Sequence, residues 1–120
     1  MLYAGMDIHK VHCQAILMTK DGEVIKEERI KSNEEEIKDF FSGFKDVKIA
    51  FEATTNYEYF YDLLEGLGYK PVLSHPYKTR LIAESMIKTD KIDARALAHL
   101  LRADLLPLSY VPPKEIRELR

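Results

Sequence analysis

Apolar and polar residues alternate along the first thirty positions, a spacing typical of β-strands that have one face in a core. Residues 2–10 form the first predicted strand, and its side chains divide between two faces: Leu2, Ala4, Met6 and Ile8 on one, Tyr3, Gly5, Asp7 and His9 on the other. A second strand is predicted over residues 11–19 and a third over residues 23–31, separated by an Asp-Gly turn that favours a hairpin. Three antiparallel strands therefore open the domain.

Helical spacing begins after residue 31. Ser32 and Glu35 match a capping box, with Ser32 as the N-cap. The helix that follows has an apolar stripe made of Ile37, Phe40, Phe41 and Phe44. A strand over residues 47–52, a helix from a second capping box at Thr55 to Gly68, and a strand over residues 69–74 come next. Because helices connect these later strands, parallel pairing and a mixed five-stranded α/β sheet flanked by helices are expected.

The last third of the chain is predicted to be helical. Pro76 suits the first turn of one helix, and an alanine- and leucine-rich helix is predicted over residues 91–104. Prolines follow at 107, 112 and 113, and residues 114–120 match the first turns of a helix without a stop signal. We expect one domain over residues 1–106, followed over residues 107–120 by the start of a linker or helical segment that leads to a C-terminal domain.

The composition is that of a globular protein, with 120 residues, 46% hydrophobic and 32% charged. No apolar run reaches the roughly 20 residues of a membrane span, and no signal peptide opens the chain, so we expect no membrane partner. The single cysteine, Cys13, excludes an internal disulfide and fits a reducing cytoplasm. Lys and Arg number 8 against 14 Asp and Glu in residues 1–69, but 10 against 6 in residues 70–120, and a basic half is weak support for a polyanionic partner.

Carboxylates stand at positions where burial makes them costly. Asp7 lies within the first strand, Glu52 ends the fourth, and Asp90 and Asp93 lie three residues apart at a predicted helix start. If these groups cluster, their repulsion favours a divalent cation, and oxygen ligands favour Mg²⁺ or Mn²⁺. Capping is the alternative, with Asp90 as an N-cap, Asp93 at the third helical position, and Glu52 in the loop before Thr55.

Three motifs carry a family resemblance: Gly5-Met6-Asp7-Ile8-His9-Lys10, Glu52-Ala53-Thr54, and Lys88-Thr89-Asp90-Lys91-Ile92-Asp93-Ala94. Together they resemble the DEDD-type insertion-sequence transposases, relatives of the Piv-type DNA invertases, and the chain is similar to their N-terminal RuvC-like domain. The resemblance implies an RNase H-like fold and a catalytic, metal-binding set formed by Asp7, Glu52, Asp90 and Asp93. It implies cleavage and exchange of DNA strands with two Mg²⁺ or Mn²⁺ ions.

The resemblance also implies partners. DNA is the substrate, the full-length protein is expected to be a homo-oligomer, and a structured guide RNA is associated with similar proteins. A serine used in catalysis is expected in the C-terminal domain. Five residues beside the acidic motifs are candidates for nucleic-acid contacts, with a structural histidine and solvated basic side chains as the alternatives: His9, Lys10, Lys88, Lys91 and Arg95.

Three other interpretations are open. Actin-like sugar kinases also begin with a strand, an Asp and a hairpin, but their phosphate-binding turn needs glycine where this chain has His9 and Lys10. A non-catalytic module for nucleic-acid binding or dimerisation has no use for an intact acidic set, because bare carboxylates repel phosphate. A stand-alone RuvC-like Holliday-junction nuclease is the third, and the open-ended C-terminal helix favours a further domain instead.

Overall fold

A computed structural model of the chain describes residues 1–53, 56–86 and 92–118. The strands are β1 (Leu2–Ile8), β2 (His12–Met18), β3 (Val24–Lys31), β4 (Val47–Glu52) and β5 (Lys70–Ser74). The helices are α1 (Glu34–Phe41), α2 (Tyr57–Gly66), α3 (Pro76–Met86), α4 (Ala94–Arg102) and α5 (Lys114–Glu118). None of the described helices has the length and apolar character needed to cross a membrane.

The five strands form one sheet in the order β3-β2-β1-β4-β5. β1 pairs antiparallel with β2 and parallel with β4, and β5 extends the parallel half. The predicted mixed sheet with three antiparallel strands at its start is confirmed, and the topology is RNase H-like. β1 is the central strand, so residues at its end lie in the middle of one edge of the fold.

The two faces of the sheet pack differently. On one face the main core joins Met6 of β1 and Phe51 of β4 to the apolar stripes of α1 and α2. On the other face α4 packs directly against β1 and β2, with Ala94 and Ala98 buried against Ile16. The alternation predicted for β1 and β2 is therefore confirmed.

Gly5 explains how α4 lies so close to the central strand. A Cβ atom on Gly5 would lie 2.9 Å from the Ala98 backbone nitrogen, 3.0 Å from the Ala94 carbonyl carbon, and closer still to the Ala94 carbonyl oxygen. Only hydrogen fits at this position, because a backbone contact cannot be relieved by a side-chain rotation.

The start of α1 differs from the prediction by one residue. Asn33, not Ser32, is the N-cap, and its side chain accepts a hydrogen bond of 2.8 Å from the Glu36 backbone nitrogen. Ser32 instead donates from its hydroxyl to the carbonyl oxygen of His9 at 2.7 Å. Glu36 takes the place predicted for Glu35 and accepts from the backbone of Lys31. The tertiary bond of Ser32 explains the shift.

One further helix start differs from the prediction, that of α4. α2 has Asn56 at its N-cap position, while the predicted cap Thr55 lies outside the described residues. Gly68, with φ 94°, follows α2 as predicted, and left-handed backbone there favours glycine. The start predicted for the last long helix, residue 91, is wrong. α4 begins at Ala94, because Asp93 itself is the N-cap and accepts from the Ala96 backbone nitrogen at 2.9 Å.

Residues 107–118 pack back onto the same body. His75 donates its backbone N–H to Pro107, and Ser109 donates to Leu73 of β5. Arg117 is buried and binds the Asp62 carboxylate of α2 at 2.9 Å. A domain boundary at residue 106 stays a prediction, and residues 119–120 of the predicted last helix lie outside the described residues.

Candidate active site

Asp7 and Glu52 lie side by side at the carboxyl ends of two neighbouring parallel strands. The β1–β4 register pairs Met6 with Phe51, and Asp7 and Glu52 each follow this last pair by one residue. Neighbouring strands are about 4.8 Å apart. Met6 and Phe51 both point into the main core, and the alternation of side chains therefore turns Asp7 and Glu52 toward the α4 face.

The two carboxylates interact electrostatically. Burial raises the pKa of Glu52, and the negative charge of Asp7 raises it further, while the positive charge of Arg80 on α3 lowers it. Burial and the charge of Asp7 both disfavour a second negative charge at this edge of the sheet. The pair is therefore in an unfavourable state when both groups are ionised and no cation is present.

Asp93 faces the same cleft as Asp7. The cleft has a volume of about 620 Å³ and opens at the β1–β2 turn, and its lining includes Asp7, His9, Lys10, Gln14, Arg29 and Asp93. One carboxylate oxygen of Asp93 caps α4, as described above. Glu52 is on the other side of Asp7 and does not line this cleft. The structure thus brings Asp7 near Glu52 in one direction and near Asp93 in the other, and Asp90 lies outside the described residues.

His9 is in direct contact with a predicted site residue. Its Nε2 atom lies 3.2 Å from the Asp7 Oδ2 atom, and the side chain of His9 is 71% exposed. An exposed imidazole beside a carboxylate can hold that carboxylate in one orientation and still reach a ligand. The same contact also fits the alternative, a hydrogen-bonded structural histidine, so a role for His9 in binding nucleic acid stays a prediction.

The other candidates for nucleic-acid contacts lie in different surroundings. Lys10 is exposed at the cleft, whereas Arg95 forms an ion pair of 2.9 Å with Glu27 of β3. Lys88 and Lys91 lie outside the described residues. A role for any of them in binding nucleic acid stays a prediction.

Four polar residues of the cleft were not singled out from the sequence: His12, Gln14, Glu27 and Arg29. Gln14 stands opposite Asp7 in the β1–β2 register. Arg29 of β3 also lines the cleft, and its guanidinium lies 3.3 Å from the His12 ring nitrogen Nδ1. The alternation along β2 predicts which face of the sheet Gln14 occupies. Its position opposite Asp7 can be known only from the register of the β1–β2 hairpin.

The described residues suit a hard cation bound through few protein ligands. Within residues 1–53, 56–86 and 92–118, no three His, Cys, Asp or Glu side chains converge to hold a metal ion. Mg²⁺, however, keeps several waters and commonly binds through one or two carboxylates together with substrate phosphates. The neighbouring Asp7 and Glu52 supply two such oxygen ligands, and a cation there would offset the repulsion that raises the pKa of Glu52.

Comparison with known proteins shows the family of the chain. The chain matches the family of DEDD transposases of the IS110 type over residues 4–120. It is 36% identical over 107 residues to the transposase for insertion sequence element IS1533 of Leptospira borgpetersenii. That alignment covers 85% of this chain and 31% of the relative, so the chain spans about a third of the relative's length. Because the family match covers residues 4–120 of the 120 residues, this chain belongs to the IS110-type DEDD transposases.

Proposed function

We propose that this chain is the RuvC-like catalytic domain of a DNA transposase, and that it supplies the Mg²⁺ or Mn²⁺ site with which the whole protein cleaves and exchanges DNA strands. The observation that carries the proposal is the position of Asp7 and Glu52, each one residue after the paired Met6 and Phe51, together with the effect of the Asp7 charge on the pKa of Glu52. The family supplies DNA as the substrate class. Asp7, Glu52, Asp90 and Asp93 are the proposed ligands, and two ions are the proposed number.

The chain's own residues prepare the site for phosphodiester chemistry. When bound, the divalent ions stabilise charge on the attacking and leaving oxygens of the phosphodiester. Asp7 and Glu52 hold these ions on the rigid sheet, and His9 keeps the Asp7 carboxylate in place through the contact of 3.2 Å. Lys10 at the cleft is placed to bind a backbone phosphate and so fix the position of the DNA strand.

Strand exchange by the whole protein is a wider proposal, because the relative is about three times longer than the region aligned here. A catalytic serine from a C-terminal domain, a homo-oligomer, a structured guide RNA and a cytoplasmic location belong to this wider proposal. We expect residues 1–120 to bind Mn²⁺ without recombining DNA, since the serine is supplied elsewhere. Efficient recombination by this chain alone would contradict the two-domain mechanism.

Titration of the 120-residue chain with Mn²⁺, followed by calorimetry, tests the metal site. Asp7→Asn and Glu52→Gln should each weaken binding strongly, because each removes one charged ligand from a pair. Glu65→Gln is the matched control, since Glu65 is an exposed carboxylate on α2 that lies outside the proposed ligand set. Equal Mn²⁺ affinity in all four proteins would refute the proposal.

Asp93 needs a test that separates capping from metal binding. Asp93→Asn keeps an N-cap oxygen, so the stability of the metal-free chain should change little, whereas Asp93→Ala should cost about 1 kcal/mol. If Asp93 is also a ligand, Asp93→Asn should reduce the rise in melting temperature that Mn²⁺ produces by binding the folded state. A rise equal to that of the unsubstituted chain would leave Asp93 as a cap only.

A further inference from the structure

Ser74, the last residue of β5, has a polar atom in an unusual position. Its side chain is 0% exposed, and its hydroxyl oxygen has no hydrogen-bond partner among the described residues. Thr79 on α3 is the other described residue whose buried hydroxyl oxygen has no hydrogen-bond partner. Buried hydroxyls in folded proteins nearly always have a partner, so each unpartnered one calls for an explanation from its surroundings.

The sheet register places Ser74 beside the proposed metal ligands. Glu52 and Ser74 are direct neighbours in the parallel β4–β5 pair. Phe51 and Leu73, one residue earlier on each strand, both belong to the main core. Glu52 and Ser74 therefore both turn to the α4 face, where Asp7 also lies. Asp7, Glu52 and Ser74 form one row across three neighbouring strands.

We propose that Ser74 is a positioning residue, whose hydroxyl donates a hydrogen bond to the Glu52 carboxylate when Glu52 holds a cation. The inference rests on the proposed function, because it needs Glu52 to be a ligand. A carboxylate bound to a metal through one oxygen retains lone pairs that accept hydrogen bonds, and such outer partners fix the orientation of the ligand. The serine hydroxyl supplies the donor, and it gains the partner that it lacks without the metal.

The inference predicts opposite effects of one substitution on two measured quantities. Ser74→Ala should leave the metal-free melting temperature unchanged or raise it, because the substitution removes a buried polar atom that has no partner. The same substitution should weaken Mn²⁺ binding by about 10- to 100-fold, the usual cost of losing an outer hydrogen bond to a metal ligand. A residue with only a packing role would not produce this combination.

Thr79→Val is the matched control, because it removes the other unpartnered buried hydroxyl and keeps the side-chain shape. It should change the metal-free melting temperature in the same direction but leave Mn²⁺ affinity unaltered. The double variant Ser74→Ala with Glu52→Gln should bind Mn²⁺ no more weakly than Glu52→Gln alone, because Ser74 acts through Glu52. Additive losses would show an independent effect and overturn the inference.

The outcomes separate this inference from the proposed function. If the unsubstituted chain binds Mn²⁺ and Glu52→Gln weakens that binding, the proposed metal site stands. An unaltered affinity in Ser74→Ala would then overturn the role of Ser74 alone, as would an equal loss in Ser74→Ala and Thr79→Val. A chain that does not bind Mn²⁺ would overturn both.

Discussion

Replacing Gly5 by alanine should be severely destabilising, although it adds one methyl group. The added Cβ would meet three backbone atoms of α4, at Ala94 and Ala98, with distances of 3.0 Å or less. Backbone cannot rotate away as a side chain does, so α4 must move off β1. Overpacking of a core costs about 1–3 kcal/mol, and backbone contacts place Gly5→Ala at the upper end of that range. That is a large share of the total stability of a domain, about 5–15 kcal/mol.

Urea unfolding followed by circular dichroism measures this cost. With a slope of about 1–3 kcal/mol per molar urea, a loss of 3 kcal/mol lowers the midpoint by about 1–3 M. Gly66→Ala is the matched control: a Cβ on Gly66 meets no atom within 4 Å, and alanine in a helix is more favourable than glycine by about 0.5–1 kcal/mol. The same chemical change should thus have opposite signs at the two positions. A Gly5→Ala midpoint equal to that of the unsubstituted chain would refute the close packing of α4.

Three further predictions concern single residues. Asp104, two residues after the end of α4, has a left-handed backbone with φ 58°, so Asp104→Gly should raise the free energy of unfolding by up to about 1 kcal/mol in urea titrations. A lower free energy of unfolding would contradict backbone strain at this position. Burial and the charge of Asp7 raise the pKa of Glu52 above 4.5. The protonated Glu52 side chain therefore contributes to the metal-free free energy of unfolding below pH 4.5, and this contribution is lost as the pH rises through the folded-state pKa. Glu52→Gln should remove this part of the pH profile. Burial, with a smaller effect of Asp7, raises the pKa of Cys13 to about 12, so alkylation at pH 8 should proceed only at the rate of unfolding.

The strands and the first carboxylates follow from local patterns. Alternation assigns the faces of β1 and β2 because one face must enter the core, and the same rule puts Asp7 on the face opposite Met6. Connection through a helix favours parallel pairing of β4 with β5, as the sheet has it. The position of β4 beside β1, which brings Glu52 level with Asp7, was implied only by the family resemblance.

The helix starts and the neutral site residues do not follow from local patterns. Ser32 and Asn33 are equally good N-caps, and the choice between them depends on the bond from Ser32 to His9, which lies 23 positions away in the chain. Gln14 and Ser74 carry no charge that marks them as part of a site. They come to lie beside Asp7 and Glu52 only through the register of the strands, and register is a tertiary property.

The two edges of the sheet have different consequences for association between copies of the chain. Residues 107–109 cover the end of β5 with backbone hydrogen bonds of 2.8 and 2.9 Å. At the opposite edge, β3 pairs within the described residues only with β2, and charged side chains from Lys26 to Arg29 stand along it. An uncovered strand edge is a template for a strand of another molecule. If two copies paired through β3, each would use its uncovered β3 edge, so this pairing would close at a dimer and would not grow into a filament.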